Sequence, residues 1–253
     1  MGAWATAAQV WAGALVFVRV GAIVMLIPGL GEQAVPARVR LSFALLLSMV
    51  MTPVVAASLP GLPSTMGAMA GWILRESFIG LMIGAILRLF LGALAVAGEV
   101  ISIQTTLSFA QTANPLQAQP GSTISTFLGL LGITLVFATG LHHLFIGAIA
   151  DSYVLFAPAK PLMIRDATTL AVRTTADAFA VGVQLSAPVL VFSLVFNAAT
   201  GLVARVMPQF QVFFAATPLQ VLLGLSVFAL SLGVIGLVWI DRYQALVALF
   251  LRS

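Results

Sequence analysis

Five charged residues lie inside long apolar stretches of the first hundred residues: Arg19, Arg75, Glu76, Arg88 and Glu99. An ionised side chain at the centre of a bilayer costs roughly 2.5–3.5 kcal/mol on insertion scales. Charges in such surroundings need a partner of opposite sign, a water-filled path or a neighbouring polar group. Their chemistry therefore indicates ion pairing or a polar lining, and argues against helices that simply face lipid.

Glu76 and Arg88 need separate partners. Along a straight helix they are about 18 Å apart, at about 1.5 Å per residue, which is too far for a direct ion pair. Two alternatives stay open from the sequence: ion pairs between subunits or a polar lining on the one hand, and pairs within the chain, for example with Arg19 or Glu99, on the other.

The same apolar stretch contains a GxxxG pattern, formed by Gly80 and Gly84. Small residues at this spacing let helix backbones approach closely. A chain with 22 glycines also produces the pattern by chance. From sequence alone, close packing and chance explain it equally well.

No arrangement of side chains indicates catalysis. His142 and His143 point about 100° apart on a helix, so they do not chelate one ion together, and a packed or interfacial pair is the favoured interpretation. The sequence lacks the GxSxG and HExxH motifs and the phosphate-binding P-loop. It also lacks cysteine, which excludes a catalytic thiol and a thiolate metal site. We therefore predict no enzymatic activity, no metal site and no cofactor.

The composition is that of an integral membrane protein. Of the 253 residues, 61% are hydrophobic and 7% are charged, against about 25% charged in soluble domains. Because lipid demands that backbone polar groups bond within their own segment, long apolar stretches predict α-helices. The 11 basic residues are scattered singly, which argues against a nucleic acid partner. Membrane lipid is the expected surrounding.

Six apolar blocks predict an all-α fold of about six long, kinked helices that form hairpins. The third block is too long for one perpendicular span of about 20 residues. Basic residues flank several blocks, but the positive-inside rule applied to them does not give one consistent topology. The blocks cover about residues 3–27, 39–57, 66–98, 122–150, 179–202 and 219–240.

The segment Ser108–Gln119 is polar but uncharged, with the sequence SFAQTANPLQAQ. Irregular backbone between two very apolar helices is tolerated at membrane depth only where protein or water covers it. The segment is therefore a candidate pore loop or plug. A plain surface loop is the alternative, and spacing alone favours it.

A series of short motifs, in order along nearly the whole chain, resembles one known family. These motifs are Arg19-Val-Gly21, Pro28-Gly29-Leu-Gly31, Val35-Pro36, Arg38-Val-Arg40, Pro53, Glu76, Gly80, Gly84, Ala97-Gly98-Glu99, Ser108-Phe109-Ala110, Ala187-Pro188, Asn197, Gly201, Ala204-Arg205-Val-Met-Pro208-Gln209 and Pro218. Together they resemble the FliR/MopE/SpaR family of type III export-gate subunits, and the flagellar branch in particular. A virulence-type secretion homologue is the nearest alternative. A stand-alone secondary transporter is a further one, which would require an internal repeat.

The resemblance implies a multi-pass protein of the bacterial inner membrane, in the basal body of the flagellum. Members of the family assemble with FliP and FliQ into the core of the export gate, and FlhB and FlhA join it. Unfolded flagellar proteins pass through this channel during export. The resemblance also implies a FliP-like front portion at about residues 1–175 and a FliQ-like back portion at about 176–253.

Two sets of site residues follow from the resemblance. It implies a plug in the closed channel, formed by Ser108, Phe109, Gln111, Asn114 and Pro115. It also implies buried charges, or charges between subunits, at Arg19, Glu76, Arg88, Glu99 and Arg205.

Overall fold

The computed structural model describes residues 6–108, 121–157, 161, 164–207, 209 and 211–251. Within these residues the chain forms seven α-helices and one short 3-10 helix, and no strand. The predicted all-α class is confirmed. The helices are α1 Ala7–Val24, α2 Ala37–Val55, α3 Met66–Gln104, α4 Thr123–Ala138, α5 Leu141–Leu155, α6 Ile164–Val206 and α7 Val212–Ala248, with the 3-10 helix Ala56–Ser58 after α2.

Five helices (α1, α2, α3, α6 and α7) are long and apolar enough to cross a membrane. The fourth predicted block is divided into α4 and α5, which bend by 75° at a short break. Gly140 lies at this break with a φ of 75°, a left-handed conformation that glycine adopts without a steric penalty. If the bent pair is one broken span, the number of candidate spans is six, in agreement with the six apolar blocks.

Three helices, α3, α6 and α7, are longer than the apolar blocks that predicted them. α6 has 43 residues and begins at Ile164, between the fourth and fifth predicted blocks. The early turns of α6 hold exposed charged residues such as Arg173 and Asp177, so the apolar pattern starts well after the helix does. Asp166 in the first turn and Arg205 in the last turn have the signs that the helix dipole favours. At about 1.5 Å per residue, α6 is about 65 Å long, roughly twice the hydrocarbon thickness of a bilayer.

The chain divides into two compact units, each made of separate segments. Unit 1 contains residues 1–90, 136–174 and 243–253, and unit 2 contains residues 91–135 and 175–242. The helices α3, α4, α6 and α7 therefore contribute to both. The predicted FliP-like and FliQ-like portions concern likeness to other proteins, which this division does not test, and they stay a prediction.

Unit 1 has its core around one face of α1. The helix starts with a capping box, in which Thr6 and Gln9 satisfy each other's backbone N–H groups. Its buried side includes Leu15, Arg19 and Ile23, which are four residues apart and therefore on one face. An arginine thus lies in the middle of the apolar face, and its surroundings decide whether it can be accommodated.

Unit 2 has its core where the second half of α3 meets α4, α6 and α7. Its fully buried apolar side chains include Leu94, Ile101, Leu128 and Trp239. In the same unit, the ring of Phe127 packs edge-on against that of Phe228, with 6.3 Å between their centroids.

Candidate functional site

Four residues of α3 form one ridge along the helix surface. Glu76, Gly80, Gly84 and Arg88 recur every fourth residue, which is the spacing of the ridges that pack into grooves of a neighbouring helix. A Cβ atom added at Gly80 would lie 2.5 Å from the carbonyl oxygen of Arg19, and one added at Gly84 would lie 2.8 Å from the Cβ of Leu26. The GxxxG pattern therefore serves close packing of α3 on α1. We call these four residues the α3 ridge.

The first residue of the α3 ridge forms a buried ion pair with α1. Arg19 Nε donates to Glu76 Oε2 at 2.5 Å, and Arg19 Nη2 donates to Glu76 Oε1 at 2.9 Å. Both side chains have 0% exposure. Two parallel N–H···O bonds give a guanidinium–carboxylate pair its strongest geometry.

The remaining donors of Arg19 are satisfied by the end of α5. Nη1 donates to the carbonyl oxygen of Ser152 at 2.9 Å and to its Oγ at 3.4 Å, and Nη2 donates to the carbonyl oxygen of Phe156 at 3.2 Å. All five N–H groups of the guanidinium thus have an acceptor. The carbonyl groups at the C-terminal end of a helix carry partial negative charge, so they suit a cation.

An aromatic ring completes the enclosure of Arg19. The guanidinium carbon lies 4.1 Å from the centroid of the Tyr153 ring, a distance at which the negative face of the ring attracts a cation. Arg19 therefore joins α1, α3 and α5 through one side chain.

The last residue of the α3 ridge forms a weaker, accessible pair. Arg88 Nη2 lies 3.7 Å from Glu32 Oε2, and the two side chains are 42% and 26% exposed. Arg88 Nη1 also donates to the carbonyl oxygen of Gly31 at 3.3 Å. Arg88 thereby links α3 to the turn that follows α1.

The neighbouring arginine of α3 also reaches the end of α5. Arg75 Nη2 donates to the carbonyl oxygen of Ala157 at 3.2 Å. Its guanidinium carbon lies 5.3 Å from the centroid of the Trp72 ring. Arg75 thus links α3 to the residues that follow α5.

In unit 2, Glu99 binds the start of α4. Its Oε1 accepts the backbone N–H of Ser122 at 2.6 Å, and the hydroxyl of Ser122 donates to the carbonyl oxygen of Gly98 at 3.3 Å. A carboxylate is favoured at a helix N-terminus, where backbone N–H groups lack partners. A Cβ atom at Gly98 would clash with the backbone of Ser125. We call Gly98, Glu99 and Ser122 the loop-base clamp, because it ties Ser122, which follows segment 109–120, to the helix that precedes this segment.

The predicted plug lies mostly outside the described residues. Ser108, half-buried, is the last described residue before the segment. Phe109, Gln111, Asn114 and Pro115 fall within residues 109–120, which the structure does not describe. The plug therefore stays a prediction.

Arg205 is exposed in the last turn of α6. The ion pairs found among the described residues join Arg19 to Glu76 and Arg88 to Glu32, and they do not include Arg205. Its role between subunits stays a prediction, and so do the inter-subunit roles of the other four charges.

The two histidines pack against each other, with ring centroids 4.0 Å apart. His142 also lines a cavity of about 170 Å³ whose other walls are apolar, among them Val24, Phe43 and Phe145. Within the described residues, no group of three or more histidine or acidic side chains is placed to bind a metal ion.

Sequence reasoning missed the α3 ridge and the acceptors of Arg19. The spacing of four residues between Glu76 and Gly80, and again from Gly84 to Arg88, was a readable signal for one helix face. The carbonyl groups of Ser152 and Phe156 carry no such signal, because every residue has a carbonyl group and only the fold selects these two.

These features define an all-α protein of the multi-pass membrane class, with a buried ion pair that holds its first helices together. The family model for bacterial export proteins, family 1, matches residues 10–246. The chain belongs to this family, and the resemblance stated from its motifs is confirmed.

Individual relatives carry flagellar names. The chain is 56% identical over 250 residues to the flagellar biosynthetic protein FliR of Caulobacter vibrioides, covering 99% of this chain and 100% of that protein. It is 29% identical to FliR of Pectobacterium carotovorum, over 87% of this chain and 83% of that one. For FliR of Aquifex aeolicus, the identity is 28% over 91% and 88% of the two chains.

Proposed function

We propose that this chain is a subunit of the flagellar protein export gate in the bacterial inner membrane. It assembles there with FliP- and FliQ-type subunits, FlhB- and FlhA-type proteins join the complex, and unfolded flagellar proteins pass through it. The chain forms part of a channel and is not an enzyme. The observation that carries the proposal is the 56% identity over 250 residues to a protein named for flagellar biosynthesis. The flagellar names favour this branch over a virulence-type gate.

Exposed apolar side chains support an assembled, membrane-bound state. On α6, six of them are between 61% and 67% exposed: Val172, Phe179, Val191, Leu194, Val195 and Leu202. Soluble monomers rarely expose large contiguous apolar patches. Lipid or helices of other subunits are the surfaces that can cover them.

The charged residues have different roles in the proposed gate. Arg19 and Glu76 are enclosed by their own chain, so they hold α1, α3 and α5 in the arrangement that other subunits meet. Arg88 and Arg205 are accessible, and they are the cations that we assign to acidic groups of neighbouring subunits. Glu99 holds the start of α4 on α3.

The segment that begins at Ser108 acts as the plug of the closed channel in this proposal, with Phe109, Gln111, Asn114 and Pro115 as its central residues. Its uncharged polar composition supports this role, because such a segment can occupy a channel without burying a charge. The loop-base clamp adds support, because it fixes the chain after the segment to the same helix that precedes it.

Affinity purification of the tagged full chain from its native membrane tests the assembly. We expect FliP- and FliQ-type subunits to be recovered with it in constant proportion. Arg205→Glu and Arg88→Glu should lower this recovery. Arg173→Glu, which reverses another exposed charge of α6, is the matched control and should not. Recovery of the intact chain without these subunits would contradict the proposal.

Ion leak tests the plug separately. Deletion of residues 111–115 should raise the leak of ions across a membrane that contains the assembled complex. Co-purification of the deletion variant with its partners controls for assembly. An unchanged leak in an assembled complex would remove the plug from the proposal and leave the subunit assignment intact.

A further inference from the structure

Thr106 has a backbone conformation that its side chain disfavours. Among the described residues it is the one non-glycine residue with a positive φ, at 59°. In the left-handed region the Cβ atom crowds the following carbonyl oxygen, and a second substituent on Cβ makes the crowding worse. The residue lies two positions after Gln104, the last residue of α3, and Leu107 and Ser108 are helical again. The helix is therefore interrupted at Thr105 and Thr106, and Thr106 is the residue with the left-handed conformation.

The hydroxyl of Thr106 is also in an unfavourable environment. Its Oγ1 is buried and has no hydrogen-bond partner, and neither has the buried Oγ of Ser102 one turn earlier. A buried hydroxyl without a partner is unfavourable. Thr106 thus combines two unfavourable features, one in its backbone and one in its side chain.

Other threonines of this chain show what a right-handed conformation would provide. Six of them donate their hydroxyl to the carbonyl oxygen four residues earlier, at 2.6–3.2 Å: Thr52, Thr105, Thr126, Thr134, Thr168 and Thr169. In a right-handed helix, the hydroxyl of Thr106 would reach the carbonyl oxygen of Ser102 in the same way. One change of φ and ψ would remove both unfavourable features.

The chain before Thr106 is firmly held. Gln104 accepts a hydrogen bond from Ser193 Oγ of α6 at 2.7 Å through its side chain, and one from Gln220 Nε2 of α7 at 2.9 Å through its carbonyl oxygen. A rotation at Thr106 would leave these bonds in place and redirect Leu107 and Ser108.

We propose that Thr106 is a switch point between two conformations of α3. In the conformation described here, Thr106 is left-handed and α3 stops at Gln104. In the other, Thr106 is right-handed, its hydroxyl bonds to Ser102, and α3 continues through Ser108. The switch sets the direction in which the chain leaves α3. Its effect on a plug rests on the proposed function, and the switch itself does not.

A distance measurement in the assembled complex tests the switch. The chain has no native cysteine, so spin labels can be attached at Ala95→Cys, an exposed position of α3, and at Ser108→Cys. In the continuous helix the two positions are separated by about 20 Å of rise. We expect pulsed dipolar spectra to show this distance together with a second population. Thr106→Gly, which removes the penalty on the left-handed conformation, should shift the ratio about tenfold toward the second population.

Two further variants separate the effect of the conformation at Thr106 from a general effect of glycine and from the effect of the hydroxyl. Thr134→Gly also places a glycine at a threonine that donates four residues back, and it should leave the distances unchanged. Thr106→Val keeps the branched side chain and removes the hydroxyl, so it should lose part of the continuous-helix population. Identical distance distributions in the unsubstituted chain and in Thr106→Gly would overturn the proposal. If the distances shift but ion leak and export do not, the switch stands and the plug role of the following segment fails.

Discussion

The two ends of the α3 ridge carry the same kind of ion pair in opposite surroundings. Arg19 and Glu76 have 0% exposure and a shortest contact of 2.5 Å. Arg88 and Glu32 are 42% and 26% exposed, and their closest charged atoms are 3.7 Å apart. The difference shows that a charge in an apolar stretch of sequence has no fixed role, because its neighbours in the fold decide whether water can reach it.

The surroundings also decide how much each ion pair contributes to the stability of the fold. Removing one partner of a buried pair leaves an uncompensated charge and destabilises by about 3–5 kcal/mol. An exposed pair contributes about 0–1 kcal/mol. The comparison can therefore be tested by substitutions along one ridge.

The largest effect is expected at Glu76. Glu76→Ala should lower the free energy of unfolding of the purified chain by about 3–5 kcal/mol, because the buried guanidinium of Arg19 loses its counter-charge. Chemical denaturation in a fixed detergent or lipid mixture measures it.

The double substitution Arg19→Met with Glu76→Leu is the control, because it removes both charges and keeps much of the volume. Replacement of a buried pair by apolar residues is often neutral or stabilising, so the double variant should be more stable than Glu76→Ala alone. If Glu76→Ala is within about 1 kcal/mol of the unsubstituted chain, the pair is not isolated from water as described.

The next effect is expected at Gly80, between the two ion pairs. Gly80→Ala places a methyl group 2.5 Å from the carbonyl oxygen of Arg19, so α1 and α3 must move apart. Overpacking of this kind costs about 1–3 kcal/mol, and it should also disturb the Arg19–Glu76 pair. Thermal unfolding of the purified chain measures it.

Gly71→Ala on the same helix is the matched control, since nothing lies within 4 Å of the added methyl group. Alanine is the better helix former, so this variant should be neutral or more stable by up to about 1 kcal/mol. Equal destabilisation by both substitutions would show that the loss comes from α3 itself and not from its contact with α1.

A smaller effect is expected in unit 2, where the contacts of Glu99 among the described residues are with backbone groups. Glu99→Ala removes the acceptor of the Ser122 N–H and should cost about 1 kcal/mol, in the range of helix capping interactions. Hydrogen exchange at the Ser122 amide should accelerate. Glu99→Gln keeps an oxygen acceptor and should retain part of the protection. Unchanged exchange in Glu99→Ala would mean that the loop-base clamp does not hold α4.

The sequence predicted the helical class and the approximate places of the apolar segments, because hydropathy reports burial or contact with lipid. It did not predict where α6 begins. Arg173 and Asp177 are exposed on that helix, and exposed charges look the same in a helix as in a loop. The break at Gly140 was also missed, since one glycine within an apolar stretch does not specify a 75° bend.

The site was predictable only as a set of alternatives. Arg19 was one of two partners considered for Glu76 and Arg88, and the structure pairs it with Glu76. The choice depends on the close approach of α1 and α3 at Gly80, which is a property of the fold. The role of Gly98 could not be predicted from its type, because it depends on where the backbone of Ser125 lies.

The smallest effect is expected at Arg88, and it separates stability from assembly. In the purified single chain, Arg88→Ala should change the free energy of unfolding by at most about 1 kcal/mol, and less at high salt, because its pair is exposed and screened. Denaturation at low and high ionic strength measures this. In the proposed gate, the same substitution should lower recovery of partner subunits, because Arg88 can meet an acidic group of a neighbour. A loss of several kcal/mol in the single chain would contradict the comparison, since the two ends of the α3 ridge would then be equally important to the fold.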